Sequence, residues 1–143
     1  MKRAVLVAGL VLVSVHTAWA GSGREQLRQA MGSVMADTLS DTTEVTDRLG
    51  CVHRVYADSS KLWYQTSELG PDGSPAIEIA QGDVSSPTSY LSHDTEYGWT
   101  LVVVWLERTD HGPAVCCRRR VLVQPFWVWS MPLDVTPQRR DRP

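Results

Sequence analysis

Asparagine is absent from this chain of 143 residues. N-linked glycosylation is thereby excluded, because its acceptor sequon begins with that residue. Lysine occurs only as Lys2 and Lys61 while arginine is plentiful, and no function is read from that bias. No Gly-rich loop of the kind that cradles phosphates occurs, and no internal repeat is visible. Basic charge is not in excess either. Without Lys2 and Arg3 the basic count falls from 14 to 12 against 16 acids, so the net charge moves from −2 to −4. A general nucleic-acid binder needs a basic face, so no nucleic-acid partner is expected.

Only one long apolar stretch exists, and it is the beginning. "MKRAVLVAGLVLVSVHTAWA" opens with Lys2 and Arg3, continues with an apolar core from Ala4 to Val15, and ends on Ala18-Trp19-Ala20. That order is the pattern of a secretory leader with a small-x-small cleavage site. A spanning helix needs about 20 apolar residues, more than this core supplies. Residues 1–20 are therefore expected to be a signal peptide, and no membrane-spanning segment is expected in the rest. Export implies an oxidising compartment, where the three cysteines allow one bridge and leave one thiol over.

Residues 24–40, "REQLRQAMGSVMADTLS", read as an amphipathic helix or as irregular early strands. After residue 44 the pattern is β. "LGCVHRVY", "KLWYQT", "AIEIAQ", "WTLVVVWLE", "AVCCRRRVLV" and "FWVWSMPLDV" are separated by turn-rich segments such as "ADSS" and "GPDGSP". Many short strands so spaced predict an all-β sandwich or barrel. Alternation along the strongest strand puts Leu101, Val103 and Trp105 on one buried face.

Trp63 follows Cys51 by 12 residues, and Cys116 follows it by 65. Further on, "LVVVWLERTDHGPAVCC" places Leu101, Val103 and Leu106, then Asp110, Gly112 and Cys116, in the order of an E strand, a turn and an F strand. With "LWYQTSELGPDGSP" as C strand and C–C′ turn, residues 24–136 resemble an immunoglobulin V-set domain. Within that family they are similar to antigen-receptor variable regions and T-cell co-receptor chains. The pattern departs in three places. Ala114 stands where the family has its corner Tyr, no Arg lies between residues 67 and 107 to pair with Asp110, and Trp127 and Trp129 replace the Gly-x-Gly bulge.

The resemblance implies a β-sandwich of two antiparallel sheets over residues 21–136, with B and E strands against C, F and G, and a polar basic tail at 137–143. It implies a Cys51–Cys116 disulfide packed against Trp63, a bridge worth about 4 kcal/mol on the chain-entropy account. It implies ligand loops at 54–60, 81–86 and 118–125, with Tyr56, Asp58, Arg118, Arg119 and Arg120 as the contacts, because Tyr and Arg dominate interface hot spots. It implies pairing through an outer face carrying Tyr64, Thr66, Pro75 and Cys117, with Trp127 or Trp129 adding apolar area, to give a dimer with itself or a related chain.

The function so implied is non-enzymatic, immune-type recognition of a protein ligand or receptor chain, secreted or at the cell surface, without cofactor. The other reading of the same strands is a secreted lipocalin-like carrier of a small ligand. Chemistry has two thinner candidates, a Cys51–His53 nucleophile pair and a His93, Asp94, Glu96 metal cluster. A nucleophile needs its base placed in space, and zinc wants well-spaced ligands. Disulfide and solvated-loop roles explain these residues more simply, so no metal is expected.

Overall fold

The computed structural model describes residues 22–36, 40–68 and 75–137. The expected leader, most of the "GPDGSP" turn and the tail beyond residue 137 lie outside the described residues. Among those described, no helix is long and apolar enough to cross a membrane.

Of the two readings of residues 24–40, the helix is realised, as α1 (Ser22–Met35). Leu27, Ala30 and Val34 lie three and four residues apart, which sets them on one stripe, and all three are buried. Nine strands follow: β1 (Thr42–Thr46), β2 (Val52–Asp58), β3 (Lys61–Thr66), β4 (Ile77–Gln81), β5 (Asp83–Asp94), β6 (Gly98–Thr109), β7 (Gly112–Val123), β8 (Phe126–Trp129) and β9 (Leu133–Asp134). All pairings are antiparallel. One sheet has the order β1-β2-β3-β4, the other β5-β6-β7-β8, with β9 also pairing β7.

The chain is thus all-β in two antiparallel sheets, as expected, but the strand order differs from the V-set arrangement. From β1 to β4 and from β5 to β8, consecutive strands are neighbours. The segments expected as B and C strands are hairpin partners in one sheet, with Tyr56 opposite Trp63. Those expected as E and F are hairpin partners in the other, with Trp105 opposite Cys116. The two-residue turns at 59–60 and 110–111 explain this, since so short a link returns a strand only to its own neighbour.

One residue, Gly82, separates β4 from β5 and carries the chain from the first sheet to the second. Its φ is +135°, which favours glycine, and a Cβ there would lie 3.2 Å from Oε1 of Glu107, whose side chain would have to give by a few tenths of an ångström. Its N–H donates to the Ser60 carbonyl at 2.8 Å, fixing the corner. From there β5 runs beneath β3, β2 and β1 in turn, reaching β1 where Thr43 Oγ1 and Ser89 Oγ meet at 3.2 Å. A strand that switches sheets at a corner is how sandwiches with crossing sheets are closed.

Three layers result. Between the sheets lie Val55, Leu62, Tyr64, Ile79, Val84, Leu101, Val103, Trp105 and Cys116. On the far side of the second sheet, α1 covers Val102, Val104, Leu106, Val115 and Cys117. β6 is therefore buried on both faces from Thr100 to Leu106, which is why its sequence is a nearly unbroken apolar run. Leu101 and Val103 occupy the inter-sheet core as expected, while Leu106 is buried on the opposite face, under the helix.

Trp63 is a correction. Side chains alternate along β3, and Leu62, Tyr64 and Thr66 take the inward positions, leaving Trp63 half-buried on the outer face beneath the Lys61 ammonium. Asp110 is a second: it is exposed in the turn between β6 and β7. The disulfide is a third, for Cys51, Cys116 and Cys117 are all free thiols. Cys116 Sγ meets Glu107 Oε2 at 3.6 Å instead.

Candidate functional site: a cleft between the sheets

The turn from β1 to β2 is built around Asp47. Its Oδ1 accepts from the backbone N–H of Leu49 at 2.9 Å and of Cys51 at 3.0 Å. Gly50, with φ of +83°, supplies the left-handed residue that closes the turn. Oδ2 is left to meet His53 Nε2 at 2.8 Å. His53 Nδ1 lies 2.8 Å from the Tyr64 hydroxyl. A carboxylate only accepts, so Nε2 carries a hydrogen, and a neutral ring then takes the Tyr64 O–H at Nδ1.

Burial pushes the Tyr64 hydroxyl up to about 12, so it stays a phenol and keeps its proton to donate. Burial opposes ionisation of Asp47, but His53 and the amides of Cys51 and Leu49 outweigh it, and the carboxyl sits below its usual range.

The second sheet contributes Arg120 from β7. Its guanidinium makes a two-pronged pair with Glu68, at 3.0 and 3.2 Å, and stacks 4.3 Å from the Trp127 ring centre and 5.2 Å from that of Tyr64. Two residues back on the same face, Arg118 donates to the carbonyls of Ile79 and Ser130, both at 2.7 Å. It thereby ties β4 to the segment after β8.

These groups border a cleft of about 520 Å³ between the sheets. Leu49, Leu91, Leu101, Trp99 and Trp127 give it apolar lining, interleaved with the polar Asp47, Arg48, Cys51, His53, Glu68 and Arg120. Arg48 lies over the Trp99 ring at 5.5 Å. The Cys51 thiol is held protonated, chiefly by desolvation and then by the nearby Asp47 and Glu68 carboxylates.

A different polar cluster lies on the helix side of the second sheet. Arg119 donates to Asp94 Oδ2 at 3.1 Å and to Thr100 Oγ1 at 3.0 Å. Asp94 Oδ1 accepts from the backbone of Glu96 at 2.7 Å and of Tyr97 at 3.1 Å. Arg119 is 1 % exposed and Asp94 6 %, so this cluster serves the fold. His93 is exposed and meets Trp99 edge-on, apart from the Asp94 carboxylate's bonds.

Most sequence-predicted contacts lie elsewhere than expected. The segments 54–60 and 81–86 do meet, at Gly82 and Ser60. The segment 118–125 runs to the other end, because β7 starts beside that corner, at Pro113 opposite Arg108. Tyr56 is half-buried and Asp58 exposed near the far end of β2 from Cys51. Arg119 and Arg120 are buried and Arg118 partly so, each spent on internal partners, so none is a free loop contact.

The expected pairing face is also internal. Tyr64 and Thr66 point into the inter-sheet space, and Cys117 is 1 % exposed beneath α1. There desolvation pushes its thiol up to about 12. Of that face, Pro75 and Trp127 are exposed. Trp129 packs edge-on against Tyr64 at 5.0 Å.

Asp47, Glu68, Leu91 and Trp99 were missed as cleft residues. "TDRLGC", a turn two residues before His53, was the one available signal for Asp47. Comparison with known proteins returns no match to any family model, curated protein or solved structure.

Proposed function

We propose that this chain is a non-enzymatic binding protein, exported by its leader, that holds a small, mostly apolar molecule with one polar end. The observation that carries this reading is the cleft of about 520 Å³, lined by Leu and Trp side chains together with a few charged groups. Small-molecule sites are concave, of roughly 300–1,000 Å³, mainly apolar, with a few placed polar groups. Of the two functions the sequence allows, the small-ligand carrier is the one this geometry supports. The protein-recognition reading rested on Arg118–Arg120 and on the outer Tyr64 and Cys117 face, which are occupied internally.

Three features support a binding role over a catalytic one. His53 is engaged by Asp47 and by the Tyr64 hydroxyl, which is 1 % exposed and held as a phenol, so the hydroxyl on this imidazole is not presented to a ligand as a nucleophile. Cys51, the one thiol on the cleft, is held in the thiol form, a weaker nucleophile than a thiolate. Glu68 and Arg120 neutralise one another, which suits an uncharged body with a hydrogen-bonding end.

Titration with an anilinonaphthalene dye, followed by displacement with straight-chain fatty acids and alcohols, tests the reading. One saturable site is expected, lost at least tenfold in Leu91→Trp, which fills the cleft. Absence of saturable binding across the panel, or binding unchanged in Leu91→Trp, would overturn it.

A further inference from the structure

Asp47, His53 and Glu68 come from a turn, a strand and the turn that follows β3, yet one ligand atom from each lies within 4.8 Å of the others. Each is held from behind. Asp47 Oδ1 is occupied by two backbone amides, which leaves Oδ2 to face His53. His53 is oriented through Nδ1 by the Tyr64 hydroxyl, and Glu68 by Arg120. Partners that fix a ligand from its far side, leaving the near side free, are the outer shell by which proteins orient metal-binding imidazoles and carboxylates. All three residues line the cleft, so the open side faces solvent or a bound molecule.

We propose that these three side chains bind one divalent transition-metal ion of the zinc class, with its remaining position open to the cleft. The donor set argues for that class. One imidazole nitrogen and two carboxylates suit zinc, which takes three protein ligands and one exchangeable ligand in open sites. Calcium takes six to eight oxygens at longer distance, and magnesium near-octahedral oxygen ligation. Two carboxylates neutralise the ion's two charges, and the imidazole enters uncharged.

Metal–ligand distances of about 2.0–2.2 Å place neighbouring ligand atoms roughly 3.5 Å apart. The 2.8 Å contact between His53 and Asp47 therefore opens by less than about an ångström, and Glu68 closes on the ion. The ring changes tautomer as the ion enters. Nε2 gives up its hydrogen and becomes the donor to the metal, while Nδ1 gains one and donates it to the Tyr64 oxygen. Arg120 keeps its stacking on Trp127 and Tyr64 when Glu68 turns.

The test uses the metal alone, so it stands or falls apart from the organic ligand. The full chain, stripped with chelator and dialysed, is titrated with zinc chloride by calorimetry, then with cobalt(II) as a visible-absorption probe. One equivalent is expected per chain, with a tetrahedral cobalt spectrum. Glu68→Gln and Asp47→Asn should each weaken binding at least tenfold, and Tyr64→Phe about 10- to 100-fold, as loss of an outer-shell partner does. Circular dichroism confirms folding of each variant, and the half-buried Glu68 keeps the test decisive if the Asp47 turn is lost. The double variant His93→Gln, His111→Gln should bind as wild type. No saturable uptake, uptake unchanged in both Glu68→Gln and Asp47→Asn, loss in the His93/His111 variant, or calcium and magnesium binding as tightly as zinc would each overturn the proposal.

Discussion

The Asp94–Arg119 pair is buried on the helix side of the second sheet, away from the cleft, and its removal should be felt by stability alone. Asp94→Asn keeps an oxygen for the Glu96 and Tyr97 amides, so the turn between β5 and β6 survives. It removes the charge facing Arg119, which is 1 % exposed and cannot turn to water. Breaking one side of a buried ion pair costs about 3–5 kcal/mol. For a domain of this size 1 kcal/mol is worth about 4 °C in Tm, so a fall of roughly 12–20 °C is expected. Arg119→Met should cost a similar amount, by leaving the carboxylate without its cation. The double variant removes both charges and places an apolar chain beside Val102 and Val104. It should be less destabilised than the two single losses combined by about 2 kcal/mol or more, within the coupling range for contacting residues. Urea and thermal unfolding of the four proteins close the cycle. A loss below about 1 kcal/mol in Asp94→Asn, or additive effects in the double variant, would refute the role given to this pair.

Acid should act through the same residue. Burial opposes ionisation of Asp94, but the two turn amides and Arg119 outweigh it and hold its carboxyl below the usual range. A depressed folded value means its stabilisation is fully present above the unfolded value of about 4 and is lost as pH falls through the folded one. The acid limb of the stability profile should therefore be shallower in Asp94→Asn than in wild type. Tyr64→Ala should cost about 3–5 kcal/mol and Trp63→Ala less than half of that, since only the first empties the core; equal losses in chemical denaturation would refute the inward alternation of β3. With a thiol-reactive dye, Cys51 should react in the folded protein while Cys117 waits for unfolding, and simultaneous labelling would argue against the helix as its cover. Gly82→Ala should destabilise by more than about 1 kcal/mol, because alanine tolerates a positive φ poorly, and a thermal scan reads this directly.

The strands were legible because their signals are local. The apolar run at residues 100–106 and the turns around it gave β6 and its hairpins, and the stripe of Leu27, Ala30 and Val34 supports the helix once it has a sheet to cover. The sheet order was not legible, because a Cys, Trp, Cys spacing of this length fits several topologies. The face of β3 turned on one residue: Trp63 and Tyr64 are both large and aromatic, so alternation alone does not choose between them. The arginine run misled for the same reason. Three consecutive guanidinium groups read as a solvated patch, yet alternation on a strand buried on both faces sends Arg118 and Arg120 to one side and Arg119 to the other. The cleft was invisible because Asp47, His53, Glu68, Leu91 and Trp127 meet only after both sheets are stacked.

The corner at Gly82 has a consequence for how the molecule divides. Every strand pair lies within 40–81 or within 83–137, and a single residue joins the two sets. Each half pairs its strands in sequence order, so each can nucleate without waiting for the other. What neither half has alone is a second wall. Val55, Leu62 and Tyr64 belong to one half, and Leu101, Val103 and Trp105 to the other. The cleft likewise takes His53 and Glu68 from the first and Leu91, Trp99 and Arg120 from the second. Gly82 is thus the natural cut for a two-fragment reporter, silent while its pieces are apart and whole only on reassembly.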